Sequence, residues 1–420
     1  MSQRRLGGLL LASVGAPAVV STTVSVLAPE IRADLGVSLT VVGGFALVLF
    51  SSTAIVSLGW GVIADHTRAV VGLIGTQVFL IAALCLVAVA DDPAWLLLAA
   101  IPGGTALAAV APFTNRIVAE LGDPRRRGAL IATKQAGVPL TQMVVAVAAP
   151  LLAAAWGWRV APIALILIPL AIIVAVLAGQ RSSAGRTSPE AGSRGAAGVT
   201  AMVEFLPVRH PRALIAVMCA YAALTGILFQ AVVFGAPVFM HDVFGFGVAA
   251  AASTLIVLGG VGLVARALFG MMIDRRANPR RTLLLLAALS TLGMGALGAS
   301  ALARMPWAAW IGIGLQAFAG AAVLIVVSAA LLAHYPVARI GSLSALIAVC
   351  TFLGFAVGPL AFGTVVDSAG FARAWLLLAA VSAIAGVVVL PTAPWRTASE
   401  PTHEPNPPTP SSSPASALTG

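Results

Sequence analysis

Apolar residues fill long stretches of this chain, and polar residues are gathered into short breaks between them. A membrane-spanning helix needs about 20 apolar residues. Twelve runs reach that length: 7–29, 40–63, 69–90, 94–118, 129–155, 160–180, 212–239, 248–273, 281–302, 307–332, 341–366 and 372–391. They fall into two sets of six around the segment 181–210, whose RSSAGRTSPEAGSRG is rich in Gly, Ser and Arg and reads as a linker. The pattern predicts an all-α membrane protein of twelve transmembrane helices in two six-helix bundles. One bundle occupies 1–180, a cytoplasmic linker 181–210, and the second bundle 211–391. The Pro/Ser/Thr-rich tail 392–420 is expected to be disordered and cytoplasmic.

Composition supports the same class. The chain is 60% hydrophobic and 9% charged, with a mean hydropathy of +1.03. A soluble domain carries about 25% charged residues. The formal net charge of +10 does not point to nucleic acid, because the arginines are spread over short loops, where membrane topology accounts for them. The first run follows Arg4 and Arg5 as a signal peptide would. It is too long and lacks a small-residue cleavage site, so it is expected to remain as the first helix.

Orientation follows from the basic residues. With the N-terminus inside, the inner segments hold seventeen arginines, and the outer loops hold four: Arg32, Arg159, Arg304 and Arg373. That bias places both termini in the cytoplasm. The excess of Arg over Lys and the abundant Ala and Gly suggest a GC-rich bacterial genome, hence the bacterial inner membrane, with a lipid bilayer as the surrounding partner and a monomer as the expected state. Cys85, Cys219 and Cys350 fall inside apolar runs without metal-ligand spacing and read as buried thiols.

The two halves also repeat a motif. The second run ends in Gly61-Val-Ile-Ala-Asp65, followed by His66-Thr67-Arg68. The eighth ends in Gly270-Met-Met-Ile-Asp274, followed by Arg275-Arg276 and then Arg280-Arg281. A spacing of four puts Gly and Asp on one helix face. The glycine permits close helix approach, and the aspartate can accept bonds from a neighbouring helix N-terminus or pair with loop arginines.

These residues resemble the hallmark of the major facilitator superfamily, G-x-x-x-D-R/K-x-G-R/K-R/K, in the loop after helix 2 and again after helix 8. The first copy departs from it at His66, Arg68 and Ala69-Val70, and the second at Ala277. The resemblance implies two six-helix bundles around a central cavity with alternating access. It implies gating roles for Gly61, Asp65, Arg68, Gly270, Asp274, Arg275 and Arg276. It also implies that helices 1, 4, 7 and 10 line the cavity, which makes Thr22, Ser25, Thr114, Asn115, Tyr221, Thr225, Gln230 and Gln316 candidates for substrate contact. Isolated hydroxyls in membrane helices are alternatively satisfied by backbone carbonyls or neighbouring helices. The stretch Asn115-Arg116, Arg125-Arg126-Arg127-Gly128 and Lys134-Gln135-Ala136-Gly137-Val138-Pro139 is similar to a bacterial branch that includes cyanate-transporter-like and other small-solute carriers.

Ionisable residues inside the membrane are functional candidates. The 14 acidic residues sit at helix ends, in loops or in the tail. The absence of a mid-membrane carboxylate counts against proton-coupled efflux of cationic drugs. So does Ala100, four residues before Gly104, where drug antiporters of the superfamily tend to carry Arg. Three basic residues do lie within predicted helices: Arg116, Lys134 and Arg266. Arg266 has no counterpart in the repeat, where Ser57 stands, and a guanidinium facing a cavity can hold an anion bidentately. Its alternatives are snorkelling to headgroups or pairing with a helix C-terminus. Lys134, the one lysine of the chain, shares a face with Gly137 and Thr141 beside Gln135 and Gln142, while Gly137 and Pro139 should bend the helix. It lines an anion site or snorkels. Arg116, four residues before Glu120, contacts substrate, pairs with Glu120 or snorkels.

Gly354-x-x-x-Gly358-Pro359 predicts close helix packing and a bend, and His241-Asp242 reads as a proton-exchanging or solvated pair. No paired carboxylates, metal cluster, nucleophile motif or phosphate loop is visible, so neither enzyme activity nor a cofactor is expected. The reading is a secondary transporter of a small anionic solute, by H⁺ symport or exchange; multidrug or metabolite efflux is the alternative.

Overall fold

The computed structural model describes residues 3–121, 127–181, 212–273, 278–335 and 337–391. Those residues form sixteen α-helices and no strand. In chain order they are α1 (Gln3–Gly15), α2 (Ala18–Val26), α3 (Ala28–Leu35), α4 (Leu39–His66), α5 (Ala69–Ala88), α6 (Pro93–Leu121), α7 (Arg127–Gln135) and α8 (Gly137–Trp156). There follow α9 (Val160–Leu165), α10 (Leu167–Arg181), α11 (Arg212–Phe244), α12 (Val248–Ile273), α13 (Pro279–Ala303), α14 (Pro306–His334), α15 (Val337–Ala369) and α16 (Phe371–Val389). The expected linker, apart from Arg181, and the expected tail lie outside the described residues.

Length and apolar composition qualify 11 spans, and the pair α1 and α2, bent by 50°, supplies a twelfth. Their outward surface is apolar: Ile55, Leu302, Leu167 and Trp156 are 72%, 70%, 69% and 67% exposed. Apolar side chains so exposed over so much of a surface suit lipid rather than water.

The first span differs from the single helix its apolar run predicts. Pro17 lacks the N–H that would continue the ladder, and the chain bends there. Close packing accompanies the break. A methyl group at Gly15 would meet Thr141 Oγ1 at 2.1 Å and Gly137 O at 2.5 Å, and one at Gly137 would meet Leu11 O at 2.1 Å. The α1 and α8 backbones thus touch where neither has a side chain. The fifth span divides into α7 and α8 at Ala136, beside the predicted bend at Gly137 and Pro139.

Helices of residues 3–181 and of 212–391 meet mainly through α4 with α15 and α8 with α12. A methyl at Gly43 would lie 2.4 Å from Pro359 O, and one at Gly363 would lie 2.6 Å from Leu39 O. Phe50 of α4 packs edge-on against Phe355 of α15 at 5.2 Å, with Phe352 at 6.4 Å. Polar links lie toward the end that carries α3. Ser25 donates to Val233 O at 2.6 Å, and Arg32 pairs with Asp242 at 2.7 Å. The Asp367 carboxylate accepts from Leu39 N at 3.2 Å, Thr40 N at 2.7 Å and Thr40 Oγ1 at 2.5 Å. It therefore caps the N-terminus of α4 from α15, satisfying donors that a helix cannot satisfy itself. At the other end of α4, a methyl at Gly59 or Gly61 would find no atom within 4 Å. The two halves are thus clasped at the α3 end.

Candidate functional site

Lys134 lies near the end of α7 and is 5% exposed. Its ammonium donates to Asn115 Oδ1 and, at 3.4 Å, to Thr114 Oγ1, both on α6. Thr114 itself donates to Val110 O at 2.7 Å. The side chain therefore reaches a neighbouring helix rather than the surface, and its two partners are uncharged. A lysine has three donors and carries a full charge, so two neutral oxygens leave it incompletely satisfied. Asn115 is exposed and marks the edge of this cluster.

Arg116 is used differently. Its Nε donates to Glu120 at 2.6 Å, and Nη1 donates to Thr67 O at 2.9 Å and to Ala64 O. It covers carbonyls at the C-terminal end of α4, where a cation is favoured by the helix dipole.

Arg266, half-buried on α12, makes no hydrogen bond or ion pair among the described residues. Its surroundings follow from its helix face. Gly259 packs on α8, where a methyl would meet Met143 Cγ at 2.7 Å and Pro139 O at 3.1 Å. Gly262 packs on α14, where a methyl would meet Ala321 Cβ at 3.2 Å. Arg266 follows them by seven and four residues and shares their face. It is turned toward the gap between α8 and α14, about 10 Å along the helix from Gly259, on the side away from α3. Ser57, its counterpart in the repeat, bonds Ala54 O at 2.8 Å.

The remaining sequence candidates divide by their partners. Tyr221 is fully buried and donates to Leu283 O at 2.9 Å; Thr225 donates to Tyr221 O at 2.7 Å. Gln316 accepts from Ser290 at 2.6 Å. Gln230 is 4% exposed and has no hydrogen bond among the described residues. Thr22 Oγ1 is likewise buried without a partner. Gly61 and Arg68 are exposed, at the end of α4 and before α5. Gly270 lies in α12, while Asp274, Arg275, Arg276 and the side chain of Asp65 lie outside what the structure describes.

Asp367 and its cap on α4 were not foreseen. The usable signal was Ser38-Leu39-Thr40, a helix start with bare N–H groups, and Asp367 just past the eleventh apolar run.

Two carboxyls on α3 lie at the clasped end. Arg159 and then Trp158 hydrogen-bond Asp34 and hold its carboxyl below the usual range. Burial pushes the Glu30 carboxyl up, against the field of His241, and Glu30 Oε2 has no partner. A raised acid contributes stability below its unfolded pKa of about 4.5 that is lost as pH rises through the folded value. Glu30→Gln should remove this loss. Melting temperature from pH 4 to 8 tests it: the gap between variant and wild type should widen with pH, and parallel curves would contradict the assignment.

The family profile of the Major Facilitator Superfamily matches residues 9–313 and 276–419. The chain belongs to the Major Facilitator Superfamily. Among curated proteins, none matches significantly. Solved transporters of similar fold include a bacterial homologue of the human lysosomal transporter Spinster, in an inward-facing and occupied conformation. It shares 15% identity with a TM-score of 0.72, over 91% of this chain and 95% of that one. The D-xylose-proton symporter is 17% identical with a TM-score of 0.68, over 94% and 98% of the two chains. The nucleoside transporter NupG is 14% identical with a TM-score of 0.67, over 92% and 98%. At such identities the likeness shows the fold. Within the superfamily frame, α6, α11 and α14 are the fourth, seventh and tenth spans, so the Lys134–Asn115 cluster, Gln230 and the neighbour of Arg266 all touch helices of the expected cavity wall.

Proposed function

We propose that this superfamily member is a secondary transporter of a small anionic solute, working by alternating access in a bacterial inner membrane, with H⁺ symport or exchange as the driving step. One observation carries the reading: Arg266 is a half-buried guanidinium with no protein partner among the described residues, turned toward the gap between α8 and α14. Such a charge is costly until an anion pairs with it, and a carboxylate or oxyanion can do so through two parallel bonds.

Lys134 adds to this reading through a buried ammonium held by neutral oxygens, with Asn115 beside it at the surface. Gln230 offers an amide that no described residue engages. Arg116, Tyr221, Thr225 and Gln316, retained as substrate candidates from the sequence, must leave their present partners to reach a solute. Gly61, Asp65, Arg68, Gly270, Asp274, Arg275 and Arg276 keep the gating role that the hallmark implies.

The arginine distribution supports cytoplasmic termini. In that orientation the clasped end is the one away from the cytoplasm. The working unit is a monomer.

A panel of solutes tests the proposal by thermal stabilisation of purified protein. Small carboxylates and oxyanions should raise the melting temperature of the wild type. Stabilisation by neutral or cationic solutes alone would overturn the anionic reading. A second reading, efflux of an apolar drug or metabolite, is favoured by the rings of Phe50, Phe229, Phe352 and Phe355, which form one aromatic group across the halves. It predicts stabilisation by apolar compounds regardless of Arg266.

A further inference from the structure

The seam between α11 and α15 brings two cysteines together. Among the described helices these two form the most extensive contact. A methyl at Gly354 would meet Ala223 O at 2.2 Å, and one at Gly358 would meet Ile227 O at 2.4 Å. Residue numbers rise together along both helices at a constant offset, so they run parallel in fixed register. Gly226, whose methyl would meet Thr351 O at 2.8 Å, adds a further close approach along the same seam. One turn before Ala223 and Gly354, that offset pairs Cys219 with Cys350. The two thiols are indeed side-chain neighbours that influence one another. Both are free and only partly buried, so small reagents can reach them.

Backbone contact of this kind is what a disulfide needs, since its two Cα atoms must lie within about 7 Å and its side chains must converge. Glycines supply the close approach, and the cysteines stand one turn along the same seam. Tyr335, at the end of α14, is another ionisable neighbour of Cys219.

We propose that Cys219 and Cys350 form a reversible oxidation site, closed to a disulfide by a hydroperoxide. One thiol attacks the distal peroxide oxygen; it becomes a sulfenic acid, and the alcohol departs. The second thiol attacks that sulfur, the S–S bond forms, and water leaves. Two thiols thus lose two electrons and two protons, and the O–O bond is reduced. The product staples α11 to α15 at the end of the seam away from α3, adding a covalent tie between the seventh span and the span that clasps α4.

Cys85 is exposed on α5 and remote in sequence from this pair, so Cys85→Ser leaves the two thiols as the sole titratable ones. Full-length Cys85→Ser protein in detergent, treated with cumene hydroperoxide, should lose both maleimide-reactive thiols together, remain monomeric on a non-reducing gel, and regain both with dithiothreitol. In the Cys85→Ser background, Cys219→Ser or Cys350→Ser should abolish the reversible paired loss. Thiols that stay reactive, disappear irreversibly or cross-link two chains would overturn the proposal. The Cys85→Ser protein decides the matter even where a second substitution impairs folding.

Discussion

Gly43→Leu should hold the α3 end open. At Gly43 even a methyl group would sit 2.4 Å from Pro359 O, 2.6 Å from Leu360 Cα and 2.7 Å from Pro359 C. All three are backbone atoms of α15 and cannot rotate away. The three nearest atoms all belong to the other half, so the first clash of the added side chain is with α15. Overpacking costs about 1–3 kcal/mol when a core can adjust. Here the adjustment open to the protein is separation of α4 from α15, which the exposed, solvent-weakened Asp367 cap and Arg32–Asp242 pair oppose together with the one buried bond from Ser25 to Val233 O. The clasped population should fall more than tenfold. Spin labels at the exposed positions Ala33 and Ala249 would report it by double electron–electron resonance. A shift to longer distances is expected, and an unchanged distribution would refute the description of this contact as a rigid clasp.

The second large effect concerns Arg266. Truncating one partner of a desolvated charge pair costs about 2–5 kcal/mol, which is a thirtyfold or greater loss of affinity. Arg266→Ala should therefore weaken anion binding by at least that factor. Its lack of protein partners means that the fold should tolerate the change, unlike truncation of Arg116, whose bonds join α6 to α4. Arg266→Lys should recover part of the affinity, because it keeps the charge and loses the planar fork. Isothermal titration with the best stabilising anion measures both variants. Equal affinity for wild type and Arg266→Ala would remove Arg266 from the site.

The physical origin of each feature decides how legible it was. Spans announce themselves through apolar length, so the membrane-crossing helices follow from hydropathy. Local effects read nearly as well: Gly137 and Pro139 stand beside the break between α7 and α8 at Ala136, and the spacing of Arg116 and Glu120 signalled their pair. Pro17 was also visible, yet the apolar run continued through it and concealed the kink. Contacts between distant residues were not legible. Helical spacing gives the face on which Tyr221 or Gln316 sits, but not that Leu283 O or Ser290 waits opposite. The Asp367 cap joins residues 327 apart, and no periodicity encodes such a pairing. Lys134 shows the same division. Its burial cost was plain from the sequence, whereas its turn toward Asn115 and Thr114 required the packing of α7 beside α6.

Solute flux tests the central claim most directly. Proteoliposomes containing wild-type protein should accumulate a labelled small anion from the stabilising panel against its gradient, driven by a pH gradient or by preloaded unlabelled anion. Those containing Arg266→Ala should accumulate at least thirtyfold less at low solute concentration. Transport of the same anion at wild-type rates by Arg266→Ala, or transport of cationic or neutral solutes alone by the wild type, would contradict the account.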